Sequence, residues 1–298
     1  MATPAQWDAP LSLPANPTIQ AGAYSLEVGA EAVTGWHSHD LHQLQYAFEG
    51  IAEVETATAR YLLPPQQAVW IPAGVEHSTT LTHVKAVSVF FAPEMGLAAG
   101  DRVRILAAAP VIREMILYAK RWPIGRETTD PMAGAFFEAL AYLVVEWLDH
   151  ETPLCLPTTR DPLIAAAMDY TNENLAEVTL QRVCAAVGTS ERTLRRAFPA
   201  ATGMSWRQYL LESRLLKSMA LLAEDDENVL TIAVAVGFQS VSAFTRAFGR
   251  YAGETPTAYR RRIRTGHAAT ATAESWTAEL AARSVRRWSH QCDIPRAV

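Results

Sequence analysis

Leu180-Gln-Arg-Val-Cys-Ala-Ala-Val-Gly-Thr-Ser-Glu-Arg-Thr-Leu-Arg-Arg-Ala-Phe198 comes back, altered, as Ile232-Ala-Val-Ala-Val-Gly-Phe-Gln-Ser-Val-Ser-Ala-Phe-Thr-Arg-Ala-Phe248. Val183 to Gly188 matches Ile232 to Gly237 at an offset of 49, and Leu194 to Phe198 matches Phe244 to Phe248 at an offset of 50. Gly203 and Tyr209 then match Gly253 and Tyr259. Self-similarity at a fixed spacing marks a repeated supersecondary unit. Each copy reads as a short helix, a glycine-bearing turn and a second helix opened by a serine, the helix-turn-helix layout.

In each second helix the apolar pair (Leu194 and Phe198, or Phe244 and Phe248) falls four residues apart and so shares one buried face. The polar residues between them face outward. In the first copy these are Glu191, Arg192, Arg195 and Arg196, and arginine forks suit phosphates and the O6/N7 edge of guanine. In the second copy they are Ser242, Thr245 and Arg246, with Gln239 at the turn and Arg250 just beyond. A lone arginine-bearing helix could equally be a solvated face; the repetition argues for DNA.

These segments, closing with Gly253-Glu-Thr-Pro-Thr-Ala-Tyr-Arg260, resemble the AraC/XylS family of bacterial regulators. The resemblance implies seven helices, a long central one from about Trp206 to Leu222, and two recognition helices entering successive major grooves about 34 Å apart. It places the base-reading positions on Arg192, Arg195 and Arg196 in the first unit and on Ser242, Thr245 and Arg246 in the second. Small residues at Ser242 and Ala243 point to fewer base contacts from the second unit.

The net charge of −5 is unevenly spread. Residues 1–159 carry 8 Lys+Arg against 17 Asp+Glu, a balance of −9, whereas residues 160–266 carry 14 against 11, a balance of +3. A basic module attached to an acidic one fits this, because attraction to phosphate depends on local charge. Cys155, Cys184 and Cys292 are odd in number and lack CxxC spacing, which indicates neither a disulfide framework nor a zinc finger. No leader pattern is evident, and the most apolar stretch, Ala133 to Leu148, is interrupted by Glu138 and Glu146 and too short for a bilayer. A reducing, cytoplasmic setting without membrane contact is the expectation.

The expected class is a two-domain α+β chain: a small antiparallel β-barrel of cupin or jelly-roll type with helices, then an all-α double helix-turn-helix. Its divisions are an N-terminal arm over 1–20, a sensing barrel over 21–100, a helical pair and linker over 101–155, a DNA-binding domain over 160–265 and a disordered tail over 266–298, with a helix around Ala278 to Trp288. Short runs of strand formers (Leu44 to Phe48, Ala68 to Ile71, Val84 to Phe91) between Gly, Pro and polar turns support the barrel. Helical periodicity at Val111 to Ala119 and Phe136 to Leu148 marks two helices, which either pack on the barrel or form a dimer seam.

Gly35-Trp-His-Ser-His39 and Pro72-Ala-Gly-Val-Glu-His77 carry the candidate sensor. Residues two apart on a strand share a face, so His37 and His39 converge, with Gln43 in the same parity and His42 opposed. The segments resemble the two cupin motifs, which implies a divalent metal (Zn, Fe, Ni, Mn or Co) on His37, His39, Gln43 and His77. Gln43 stands where that pattern has Glu, and an amide leaves the metal charge uncompensated. The histidines could instead hydrogen-bond an organic effector or be satisfied internally. Trp36, Tyr46 and Trp70 are candidates to line the pocket.

The function implied is a sequence-specific transcription regulator of promoter DNA whose binding responds to a small molecule or metal, acting as a homodimer and meeting RNA polymerase if it activates. A cupin-type metal-dependent dioxygenase or isomerase with a helical appendage is the alternative.

Overall fold

A computed structural model describes residues 5–6, 19–96, 100–107, 110–149, 151–152, 154–224 and 227–264. Most of the arm expected over 1–20, and all of the tail over 266–298 with its helix and Cys292, lie outside the described residues.

The front half is one antiparallel sheet apart from a parallel β1–β3 pairing. Its strands are β1 (Ala5–Gln6), β2 (Ala21–Glu27), β3 (Glu31–Val33), β4 (His42–Thr56), β5 (Ala59–Leu63), β6 (Gln67–Ile71), β7 (His77–Phe91), β8 (Arg104–Ala107), β9 (Glu151–Thr152) and β10 (Cys155–Pro157). The path β1-β3-β7-β4-β6-β8-β9 does not return on itself, with β2 branching from β7 and β10 from β5. The expected barrel is therefore not closed. Closure needs edge strands that can pair with each other, and the strands ending this path, β1 and β9, are two residues each.

β4 and β7, fifteen residues apiece, pair along their length, with register shifts between Ala47 and Ile51. The chain turns there on Gly50, at φ 72°, where a Cβ would meet the His83 carbonyl oxygen at 2.2 Å. Only glycine fits so close an approach in that conformation. His83 takes φ 50° opposite it. A bulge inserts an unpaired residue and so reverses which side chains face inward. Above it, Gln43 and Gln45 face into the sheet and Leu44 and Tyr46 face out; below it, Ala52 and Val54 are buried while Glu53 and Glu55 are half-buried.

α1 (Pro110–Tyr118) and α2 (Pro131–Leu148) pack on the outer face of the upper sheet. Asp130 caps α2 by accepting from Met132 N at 2.9 Å, and Pro131 occupies the first turn, where its missing N–H costs nothing. Phe137, Leu140, Val144 and Trp147 are buried in one cluster with Leu44, Tyr46, Trp70, Val87 and Val89. Each such side chain contributes about 1.5–3 kcal/mol when fully buried. The cap and proline start α2 two residues before the apolar run, giving 18 residues, long and apolar enough by length and composition to cross a membrane. Its buried stripe makes it a core helix of the sheet.

β10 leads into the helical half: α3 (Pro162–Glu173), α4 (Leu180–Ala186), α5 (Glu191–Thr202), α6 (Trp206–Glu224), α7 (Val229–Ala235) and α8 (Val241–Ala252), followed by helical residues 256–264. Polar residues open the short helices: the side chains of Thr179, Ser190, Asn228 and Ser240 accept from the backbone N–H three residues on. α6, 19 residues long, joins the two helix-turn-helix units. The halves share a continuous buried cluster that runs from Val54, Leu63 and Leu81 to Leu215, Leu216 and Phe248. The Gln66 side chain also donates to the Ile263 carbonyl.

Candidate nucleic-acid interface and histidine recess

α5 buries Leu194 and Phe198 fully, which turns Arg192, Arg195 and Arg196 to solvent. Arg195 is held in part by Glu191 one turn earlier, Nη2 to Oε2 at 3.1 Å. Both side chains are about half exposed, so water screens the pair strongly. α8 buries Phe244, Ala247 and Phe248. Gln239, Ser242, Arg246 and Arg250 are exposed and Thr245 is half-buried. Arg250 lies within α8, in its last turn, where a cation complements the helix dipole. The turn of the second unit rests on Gly237, at φ 89°, where a Cβ would meet the Arg214 guanidinium at 2.5 Å and the Ala176 carbonyl oxygen at 2.7 Å. Arg214 donates to the Leu175 carbonyl at 2.8 and 3.0 Å, tying the central helix to the loop after α3.

The sheet brings three imidazoles together. His37 and His77 exchange backbone hydrogen bonds at 2.9 Å each, and their rings lie 4.3 Å apart. His39 is 5.3 Å from His77 and 6.2 Å from His37, ring centre to ring centre. Each Nδ1 sits against a backbone carbonyl: His37 on Gly35 at 3.0 Å, His39 on Leu41 at 2.6 Å, His77 on Val75 at 2.9 Å. Such anchoring fixes the tautomer and, at His37 and His77, leaves Nε2 to an occupant. The Nε2 atoms of His37 and His77 have no protein partner among the described residues; Nε2 of His39 is 2.9 Å from the Gln43 side-chain oxygen. Burial pushes the His77 imidazole down to about 4, against the pull of its Val75 hydrogen bond, so at neutral pH its Nε2 is an acceptor.

His37 and His39 do not sit in one continuous strand as expected: His37 pairs with His77 through an isolated bridge, and β4 begins only at His42. His42 does point away, stacking on Trp70 at 5.2 Å and accepting from Ala73 N at 3.0 Å. Of the expected pocket aromatics, none lines the recess. Trp36 is 54% exposed, while Tyr46 and Trp70 are buried under α1 and α2, because alternate residues of β4 and β6 belong to opposite faces. The recess is lined instead by Tyr24, Leu26, Gln45, Thr79, Ser88 and Phe90, together with the histidines and Gln43. Gln43 donates to Gln45 at 3.1 Å and to Ser88 at 2.9 Å. Buried polar residues of equal parity on β4, Gln43 and Gln45, were the sequence signal for this lining.

Imidazole nitrogen suits Zn, Fe, Ni or Co, but the recess carries no carboxylate. Among the described residues no three His, Cys, Asp or Glu side chains are disposed to hold a metal ion. A metal bound there would meet neutral imidazoles and amides, with no carboxylate to offset its double charge.

Residues 183–262 match the model of a helix-turn-helix domain, and residues 26–91 that of an AraC-like ligand binding domain. The second span contains the whole histidine recess apart from Tyr24. The two domains together define an AraC-type transcription regulator, and this chain carries both. The HTH-type transcriptional regulator NimR of Escherichia coli (strain K12) is 28% identical over 249 residues, covering 82% of this chain and 89% of that protein. The HTH-type transcriptional activator RhaR of Klebsiella pneumoniae is 35% identical over 134 residues, covering 45% of this chain and 47% of that protein. Among solved structures, ToxT from Vibrio cholerae O395 aligns with 82% of this chain and 97% of its own at 13% identity, with a TM-score of 0.36.

Proposed function

We propose that this chain binds promoter DNA through the exposed faces of α5 and α8, with α5 dominant, and that an effector held among His37, His39 and His77 sets that affinity. The observation that supports this is the pairing, in one chain, of an arginine-bearing recognition helix with a recess where the Nε2 atoms of His37 and His77 have no protein partner among the described residues. Acceptors call for a donor. The effector is therefore a small organic molecule with a hydroxyl or amine group and enough apolar surface to lie on Leu26 and Phe90, and the site requires no metal. The same reading takes the chain as a non-enzymatic, cytoplasmic regulator that acts as a homodimer and meets RNA polymerase where it activates. Enzymatic turnover would need an acid and base pair beside the histidines, and the recess offers neutral amides and hydroxyls instead.

Elemental analysis of chelator-free protein beside His77→Ala is the test. No stoichiometric metal in either supports the organic effector. About one transition metal per chain, lost in the variant, would replace it with a metal sensor.

A further inference from the structure

A further cavity lies outside the histidine recess, between the halves of the molecule. It holds about 310 Å³, and a second of about 250 Å³ adjoins it, sharing Arg60, Leu156 and Asn172. Cavities of this size accept small organic ligands. One wall is the outward face of β4 and β5 below the Gly50 bulge; the other is α6, the helix that joins the two DNA-reading units.

It carries charges of both signs. Arg60 stands opposite Glu55 in the β4–β5 register and pairs with it at 3.5 Å. Glu53 on the sheet and Lys217 on α6 line the same cavity, yet neither has an ion-pair partner among the described residues. An unpaired carboxylate and an unpaired ammonium that share a cavity without touching leave room for a ligand bearing the complementary pair. Leu62, Leu156 and Leu216 supply apolar wall between them.

We infer that this cleft is a second ligand site, independent of the histidine recess, for a small zwitterion of amino-acid type with an aliphatic side chain. Its ammonium goes to Glu53 and its carboxylate to Lys217 and Arg60. A ligand that touches both halves binds the arrangement that offers both walls more tightly than any other, and so shifts the population toward it. The cleft thereby couples the sheet to α6 by a route that bypasses the histidines.

Isothermal titration of the full chain with L-leucine, 4-methylpentanoate and 3-methylbutylamine tests this, using wild type, Glu53→Gln, Lys217→Met and His77→Ala. Both cleft substitutions alter side chains at least partly open to solvent, so folding is not at stake. Leucine should bind one per chain, and removing either ligand charge or its protein partner should weaken binding about tenfold, as loss of one charge-assisted contact does. Glu53→Gln should leave 4-methylpentanoate binding unchanged, and His77→Ala should leave leucine binding unchanged. Three results overturn the proposal: no binding of any probe at millimolar concentration, 4-methylpentanoate binding as tightly as leucine, or leucine binding that His77→Ala abolishes and Lys217→Met spares. Because His77→Ala is read separately, failure here leaves the recess reading standing.

Discussion

α5 and α8 are built alike and equipped differently. Both are 12 residues long, open on a serine that accepts from the third backbone N–H, and end on a glycine in the left-handed region, Gly203 at φ 75° and Gly253 at φ 74°. Phe198 meets Tyr209 edge-on at 5.4 Å, and Phe248 meets Tyr259 the same way at 5.5 Å. The outward faces share little: three arginines on one, against Ser242, Thr245 and Arg246 on the other. Packing dictates the positions the copies share and is indifferent to those where they differ, so the proposed DNA selectivity falls to the freed positions.

The largest expected effect tests the shared half of that comparison. Phe198→Ala and Phe248→Ala should each cost about 3–5 kcal/mol, since both rings are fully buried. Urea unfolding of the full chain reads this directly. A cost below about 1 kcal/mol at either position, small for a core truncation, would mean that the two units are not equivalent supports.

Next comes the half that differs. Arg196→Ala should weaken binding to the cognate site by about 1–3 kcal/mol if the contact is bidentate to a base, whereas Ser242→Ala should cost less. Fluorescence anisotropy against a promoter fragment and a scrambled duplex separates the two. Equal losses would erase the asymmetry between the units. The serine caps should then give matched losses of about 1 kcal/mol each for Ser190→Ala and Ser240→Ala, read by thermal unfolding.

The helical half was legible because its signals are local: a repeat, two caps, two glycines and a four-residue apolar spacing. The resemblance to a known family of regulators came from the same residues. The sheet was only partly legible. Alternation along β4 identified a strand but not its inward face, because the Gly50 bulge reverses parity within it, and nothing at Leu44 or Tyr46 says that α2 will cover them. Tyr46 and Trp70 were misplaced because the helices that cover their face of the sheet lie far from them in sequence. The closed barrel failed on a non-local property, whether the two end strands meet. Trp36, a candidate for the pocket lining through its place beside His37, lies outside any regular strand and is exposed.

The smallest effect refines the comparison most. At the position matching Glu191, α8 has Val241, so of the two helices only α5 carries a carboxylate on the face proposed to meet DNA, and that carboxylate engages Arg195. In the free protein the pair is worth little, so Glu191→Gln should change stability by no more than about 0.5 kcal/mol. On DNA the same substitution removes a like charge from the phosphates and releases a guanidinium. If Arg195 then takes up a phosphate, the slope of log affinity against log salt should steepen by about one unit, the increment expected for one added phosphate contact. An unchanged slope with unchanged affinity would mean that Arg195 abandons Glu191 on binding without help. In that case Glu191 serves only to hold the side chain extended beforehand, and the contrast between the two helices rests on Arg192 and Arg195 standing where α8 has Ser242 and Thr245.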